Sequence, residues 1–466
     1  MNEVRDLSGL CHIYVEEKRA QTEISRAFEL GFDFVAAQGT GTDWGPYYLG
    51  NSSSRMLNRI QFKAQAKTII SAALKNKVPF IISTGIPTGK DTHLQEALSI
   101  VNDMAKENGL TFKAAVVHGE LDKQYLIDKL QSGVKMPRVV DSEYLPEYLD
   151  IKDVEKAESI VAQMGPEPIM RALDLGVDGV ITGRALDVAL HTALPLKLGF
   201  DPGLAAHMAK TLECGGFALG DEDPAHFAWG SLKKDHFLIR SLNNELKCTV
   251  KSVVGHALYE RRDPFREENP GGYLDLTGAQ FEQVDEYTVK VWGSKWVPVE
   301  PYAIKVEGAC LVGYRTVTIA GIREPLLIKH LDDFLKKVRQ EVAQAPILKS
   351  VQPDKDYTLV FRVYGKNAVL GDLEPSKRVP HEVGLVVDVL AKNEDLADQI
   401  VQLAWMRIGF DDYPGRITTA GNFATPYSHH AFRAGPDYRF NVWHLLPLKE
   451  PSEPFRTEVC KFPFTK

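Results

Sequence analysis

The sequence predicts an α/β protein with an N-terminal parallel βα domain of Rossmann-like kind over residues 1–275 and a C-terminal α+β domain over 276–466 whose sheet is mixed or antiparallel. Three observations carry this reading. Short apolar runs alternate with longer amphipathic stretches as far as Leu198, which marks βα units and a parallel sheet. The segments leaving those runs are rich in glycine, hydroxyl and charged residues. After Gly220 the pattern changes to period two with Gly and Asn turns, which suits antiparallel pairing. A chain of 466 residues is also too long for one ordinary core.

In chain order, a helix over Gln21–Leu30 feeds the first strand, Phe32–Ala37, a brief aromatic and β-branched run of the buried kind. The loop Gln38–Ser54 (QGTGTDWGPYYLGNSSS) follows, then a helix over Arg55–Asn76. Strands Val78–Ser83, Thr111–Val117 and Gly179–Thr182 each lead into a helix: Thr92–Asn108, one ending at Leu130, and one running through Leu198. Between them, Val134–Asp150 holds a short strand (PRVVD) before a helix from Val154. The second domain reads as a strand block Cys310–Ile322, a helix Leu326–Gln344, the strands YTLVFRVYG and EVGLVVDVLA, and a helix Asn393–Arg407.

A net charge of −7 gives no electrostatic reason for a nucleic-acid or membrane partner. No run approaches the ~18–20 apolar residues of a spanning helix, and the N-terminus lacks the apolar stretch of a secretory signal. Five cysteines without close pairs argue against a disulfide framework or zinc knuckle. A cytoplasmic homo-oligomer is the expectation for such a composition.

In parallel α/β sheets, ligands sit beyond the carboxyl ends of the strands. The first strand delivers Gly39, Thr40, Gly41, Thr42 and Asp43, with Tyr47 and Tyr48 as rigid amphipathic walls. The second delivers Ser83, Thr84, Thr88 and Lys90, the third His118, Gly119 and Glu120, and the fourth Thr182, Arg184 and Asp187. Asp122 and Asp187 read equally well as helix caps. Two nucleotide motifs fail. GTGTDWG has dinucleotide-loop glycines, but Pro46 and two tyrosines follow where a helix should open, and no acidic ribose partner ends the next strand, which disfavours NAD. GIPTGKD is one residue short of a P-loop and has Asp91 where a magnesium-binding hydroxyl belongs, which disfavours ATP. In LECGGFALG, Cys214 reads as a buried cysteine at a glycine cap, with Glu213 facing either a site or water. A second dense stretch, Tyr413–Pro436, contributes Asn422 beside small residues. Its adjacent histidines, His429 and His430, would point to opposite sides of a strand and so disfavour a shared metal. A divalent ion held by Asp43, His118 and Glu120 is one reading of the rim.

GTGTDWGPYYLG, ITGRALDVAL, LECGG, the YPGR segment and TTAGNFATPYS, in that order, resemble the acyclic terpene utilisation protein AtuA family. The resemblance implies carboxylate or acyl-CoA catabolism as a setting, and no mechanism. Combined with the rim, it gives the expectation of a lyase, hydratase or isomerase acting on a branched carboxylic acid or CoA thioester by proton abstraction next to the carbonyl. His118 and Glu120 would be base and acid, and Asp43 and Tyr47 would assist. Arg184 and Lys90 would fix a carboxylate, and Gly39–Thr42, Tyr48 and Asn422 would bind substrate. An acyl-activating or acyl-transfer enzyme is the alternative, as is a non-catalytic ligand-binding subunit working with a small partner protein.

Overall fold

The computed structural model describes residues 2–56, 58–85, 87–220, 223, 225–418 and 423–464, so Asn422 lies outside the described residues. The chain forms two compact units, Met1–Cys310 with Phe440–Lys466, and Leu311–Arg439.

The first unit is built on β1 (Glu3–Leu10), β2 (Phe34–Gln38), β3 (Phe80–Ser83), β4 (Phe112–Val117), β5 (Ser159–Ala162), β6 (Gly179–Thr182), β7 (Ala228–Lys233) and β8 (Phe237–Ser241). It continues through β9 (Arg266–Asn269), β10 (Gly272–Asp275), β11 (Gln280–Asp285), β12 (Thr288–Trp292) and β13 (Lys295–Pro298). A ten-stranded open sheet runs β11-β12-β8-β7-β1-β2-β3-β6-β4 and ends on the C-terminal strand β19, Thr457–Phe462. Its centre, β1-β2-β3-β6-β4, is parallel, and the flanking strands are antiparallel.

Side chains alternate across the central strands. Phe34, Ala36, Ile81, Ala115 and Val180 face one core, and Val35, Ala37, Ile82, Ala114 and Ile181 the other. On the second face pack α1 (Glu17–Leu30), α3 (Arg59–Asn76) and α4 (Asp91–Glu107), which follow the short α2 (Tyr47–Gly50) or flank it. On the first face pack α5 (Lys123–Gln131), α6 (Ile151–Lys156), α7 (Pro166–Leu173), α8 (Asp187–Lys197), α9 (Pro202–Leu212) and α10 (Val250–Leu258). The split follows from handedness. The chain steps outward from β1 to β4 through right-handed crossovers on one face, then reverses into β6, which puts the next helices on the other. Helix α9 starts at Pro202 with the Asp201 carboxylate accepting from Leu204 N at 2.8 Å, and Gly203 through Leu212 are all buried. A helix apolar on every side belongs inside, so its one lysine, Lys210, needs a buried counter-charge.

The second unit contains residues 314–322 of β14 (Ala303–Ile322), with β15 (Tyr357–Tyr364), β16 (Val383–Ala391) and β17 (Phe423–Ala424), in the antiparallel order β15-β16-β14-β17. Helices α12 (Leu331–Ala343), preceded by α11 (Pro325–Lys329), and α13 (Glu394–Phe410) share its core through Phe334, Val338, Ile400 and Ala404.

The α/β class stands, with corrections in detail. The first strand is β1, not the Phe32–Ala37 run; its sequence EVRDLSGL buries the polar Asp6 and Ser8, which masked it. The helix expected from Val154 is the one-and-a-half-turn α6 followed by β5, which pairs with Val306–Ala309. Pro137 and Arg138 make only isolated bridges, so PRVVD forms no strand. The units part at 310/311 and 439/440 rather than at 275/276, because β11 and β12 continue the first sheet and the C-terminal β19 closes its far edge. No helix of the described residues is long and apolar enough to cross a membrane.

The strand-end loops touch backbone to backbone. A Cβ on Gly119 would lie 2.3 Å from Arg184 N, and one on Gly183 would lie 2.6 Å from Gly89 O. Gly119→Ala is therefore expected to cost about 2 kcal/mol or more in urea unfolding. Gly255→Ala, with open space around it on α10, should instead gain about 0.5–1 kcal/mol.

Candidate functional site

Glycine contact draws the carboxyl ends of β2, β3, β4 and β6 together, and Arg184 locks them. Its Nε donates to Glu307 Oε2 at 2.9 Å, and its Nη1 donates to the carbonyls of Thr40 and Ala185, each at 3.0 Å. Glu307 is fully buried and also accepts from Thr42 Oγ1 at 3.2 Å and pairs with Lys305 at 2.7 Å. Burial alone would push the Glu307 carboxyl up, but Arg184 and Lys305 outweigh it and hold it at about 2. Arg184 thus spends its donors on the protein. Expected from sequence to fix a substrate carboxylate, it is a strut that ties the β2 loop, the β6 loop and β14 together.

His118 and Glu120 are also given structural work. His118 Nδ1 lies 2.8 Å from Asp91 Oδ1 and Nε2 lies 3.3 Å from Glu458 Oε1, so neither ring nitrogen is left as a free base. Burial disfavours its charged form, yet the Asp91 hydrogen bond and charge prevail and raise its pKa. Glu120 Oε2 accepts from Asp91 N at 2.7 Å, capping α4 from outside. Lys90 donates to Asn51 O at 2.6 Å, and burial pushes it down to about 8 against the pull of Glu120. Asp43 stands exposed. Among the described residues no three His, Cys, Asp or Glu side chains are grouped to hold a metal ion, so Asp43, His118 and Glu120 are not brought together as ligands. Gly39 and Gly41 dock loops onto one another: a Cβ on Gly39 would meet Thr84 O at 2.9 Å, and Gly41 N donates to Pro87 O at 2.7 Å. Tyr47 and Tyr48 make an edge-on ring pair at 5.3 Å beside Asn51.

The group best placed for chemistry lies next to the strut. Asp187 opens α8 directly after β6. Its Oδ1 is sealed, makes no hydrogen bond among the described residues and lies 3.9 Å from Arg184 Nη1, while the side chain as a whole is 38 % exposed. Behind it, α9 supplies the buried ion pair of Lys210 with Glu213, and Arg261 Nη2 lies 3.2 Å from Glu267 Oε2. Tyr259 rims the cluster, with its hydroxyl 3.4 Å from Cys214 Sγ and its ring 5.1 Å from Lys210 Nζ.

The electrostatics follow from crowding. Burial, then the Glu213 carboxylate, push Asp187 up to about 7 against the opposing charges of Arg184 and Lys210. Burial raises Glu213 and Glu267 as well, opposed by Lys210 and by Arg261. Burial and the neighbouring Glu213 charge push Cys214 up to about 12, which leaves a protonated thiol and no nucleophile. On the same face of α8 as Asp187, one turn on, His191 Nδ1 bonds Asp6 Oδ2 at 2.7 Å in full burial, leaving Nε2 unpartnered.

The structure therefore joins Thr40, Thr42, Asp43 and Arg184 to one locus, where Asp43 acts on both Arg184 and Asp187 by charge. Lys90, His118 and Glu120 form a second, adjoining group. Sequence reasoning missed Glu307, Lys210, Arg261, Glu267, His191 and Asp6. A signal existed for some of them: Lys210 and Glu213 at i,i+3, and Asp187 and His191 at i,i+4, on otherwise apolar helices.

The chain matches the family described as acyclic terpene utilisation family protein AtuA over residues 59–221 and 238–435. The match takes in Arg184, Asp187, Lys210, Glu213, Arg261, Glu267 and Glu307, and begins beyond the Gln38–Ser54 loop. No curated protein and no solved structure matches the chain.

Glu307→Gln is expected to lose about 3 kcal/mol of stability at neutral pH. A carboxyl held below its unfolded value contributes stability above that value and loses it as acid titrates the folded state. The difference from wild type should thus shrink between pH 4.5 and about 2. Urea unfolding across that range checks it; a constant difference would mean the strut is not electrostatic.

Proposed function

Because the chain belongs to the AtuA family of acyclic terpene utilisation, a catabolic setting, we propose that it is a cytoplasmic lyase, hydratase or isomerase. Its substrate is a branched carboxylic acid or the corresponding CoA thioester, from which it moves a proton at the carbon next to the carbonyl. The observation that carries this reading is Asp187: a partly exposed carboxyl pushed up to about 7, with the cations Arg184 and Lys210 acting on it.

An acid–base group works best when its pKa lies near the operating pH. Asp187 in its ionised form takes the α-proton. The electron pair left on carbon delocalises onto the carbonyl oxygen, and the developing negative charge is met by donors on Lys210 and Arg261, fixed before reaction by their pairing with Glu213 and Glu267. In a dehydration the pair then forms the double bond and expels hydroxide, which needs a proton. The proton that Asp187 has taken meets that need: handed to the departing hydroxide, it leaves as water and returns Asp187 to its ionised form. In an isomerisation, Asp187 hands its proton back at another carbon. On this reading His118 and Glu120, the groups expected from sequence to do this work, serve to hold the start of α4 through Asp91.

Exchange of α-protons for deuterium, followed by NMR on branched hydroxy acids and their thioesters, tests the proposal. Asp187→Asn should lower exchange by about 100-fold or more with the fold intact. The wild-type rate should rise with pH through a limb near 7. Glu213→Gln removes a like charge, so it should move that limb to lower pH. Full exchange in Asp187→Asn would remove Asp187 from the chemistry.

A further inference from the structure

Two side chains close to Lys210 carry buried hydrogen-bonding capacity that no group of the described residues uses. Arg261 has a side chain only 8 % exposed; its Nη2 donates to Ala257 O at 2.5 Å and faces Glu267, while its Nη1 is sealed with no acceptor. His256, at the end of α10, is 6 % exposed, and both of its ring nitrogens lack a partner among the described residues. Its ring sits 5.0 Å from the Tyr259 ring, whose face carries Lys210 Nζ. An unpaired buried donor costs about 1–3 kcal/mol, and more when charged, and native interiors keep few of them without a use.

These donors share one place and one sign. Burial, with Lys210 and Arg261 nearby, pushes the His256 ring down to about 3, so it is neutral and offers one N–H. Lys210 and Arg261 both act on His256 by charge, so these donors lie in one cluster, where Glu267 Oε2 and Asp187 Oδ1 also make no hydrogen bond among the described residues. A planar oxyanion is the group that an arginine edge and a neighbouring N–H satisfy together. The charge inventory sets its valence. Asp187, Glu213 and Glu267 already face the cations Lys210 and Arg261, so a dianion such as phosphate would be repelled more strongly than a singly charged carboxylate.

We propose that Arg261 and His256 form a carboxylate-anchoring subsite, so that the substrate enters this site as the free acid and not as a CoA thioester. The inference rests on the function proposed above and narrows its substrate class. A thioester has no carboxylate at its acyl end to satisfy Arg261, and it brings a polyanionic carrier toward three carboxylates.

The matched probes are 3-hydroxy-3-methylbutyrate and its CoA thioester, titrated calorimetrically into the full chain. The free acid should bind wild type, and the thioester should bind about 10-fold more weakly or not at all. Arg261→Met should weaken the acid by about 10- to 100-fold, and Arg261→Lys should recover part of that loss. Since Arg261→Met strands Glu267, the paired variant Arg261→Met/Glu267→Gln, checked for an unchanged thermal midpoint, repeats the measurement with no orphaned charge. Asp187→Asn should bind the acid within a few-fold of wild type while losing proton exchange, which separates failure of the anchor from failure of the chemistry. Equal or tighter binding of the thioester, no binding of the acid to wild type, or undiminished acid binding in both Arg261 variants would overturn the proposal.

Discussion

The ion pair between Arg184 and Glu307 is the constraint on which the rest of the first unit depends. A guanidinium and a carboxylate buried together repay their desolvation only with near-complete hydrogen bonding. Here the pair is completed by Thr42, Lys305 and two backbone carbonyls. Two strand-end loops and β14 must stay in register for that set to exist. The glycines at 89, 119 and 183 make the register reachable, because any side chain there would collide with backbone.

Fixing the rim in this way has an electrostatic consequence one turn further on. Arg184 holds the β6 loop, and Asp187 begins α8 three residues later, so the carboxyl is delivered to a set place beside Glu213. The two carboxylates crowd each other, with only Lys210 and Arg184 to offset them, and one proton is retained near neutrality. The acid–base character of Asp187 is thus a property of the rim as a whole: burial raises it, Glu213 raises it further, and the cations stop it short of staying permanently neutral.

Much of this fold was legible and less of the site. The parallel strands announced themselves as short apolar runs, and Gly179–Thr182 was bounded to the residue. Strand β1 was not, because Asp6 and Ser8 interrupt its apolar pattern; Asp6 is there for His191 and Ser8 for the Leu212 carbonyl, pairings 185 and 204 residues apart that no local periodicity encodes. The rule that ligands gather at carboxyl strand ends pointed to the rim that carries Arg184 and Asp187. It could not say which polar groups there are spent on the protein: His118 and Arg184 look free in sequence and are fully engaged in three dimensions. Asp187, equally readable as a cap, keeps a partly exposed side chain, and the cations acting on it come from the β6 loop and from α9.

The central claim is that Asp187 titrates near neutrality inside the folded protein. Infrared difference spectra of protein carrying carbon-13-labelled aspartate, recorded as pH is stepped from 4 to 9, measure this directly. The account predicts an aspartate carboxyl band that disappears with a midpoint near 7 and is missing from Asp187→Asn. If every aspartate were already ionised at pH 5, the crowding that defines this site would not exist, and neither would the acid–base chemistry assigned to it.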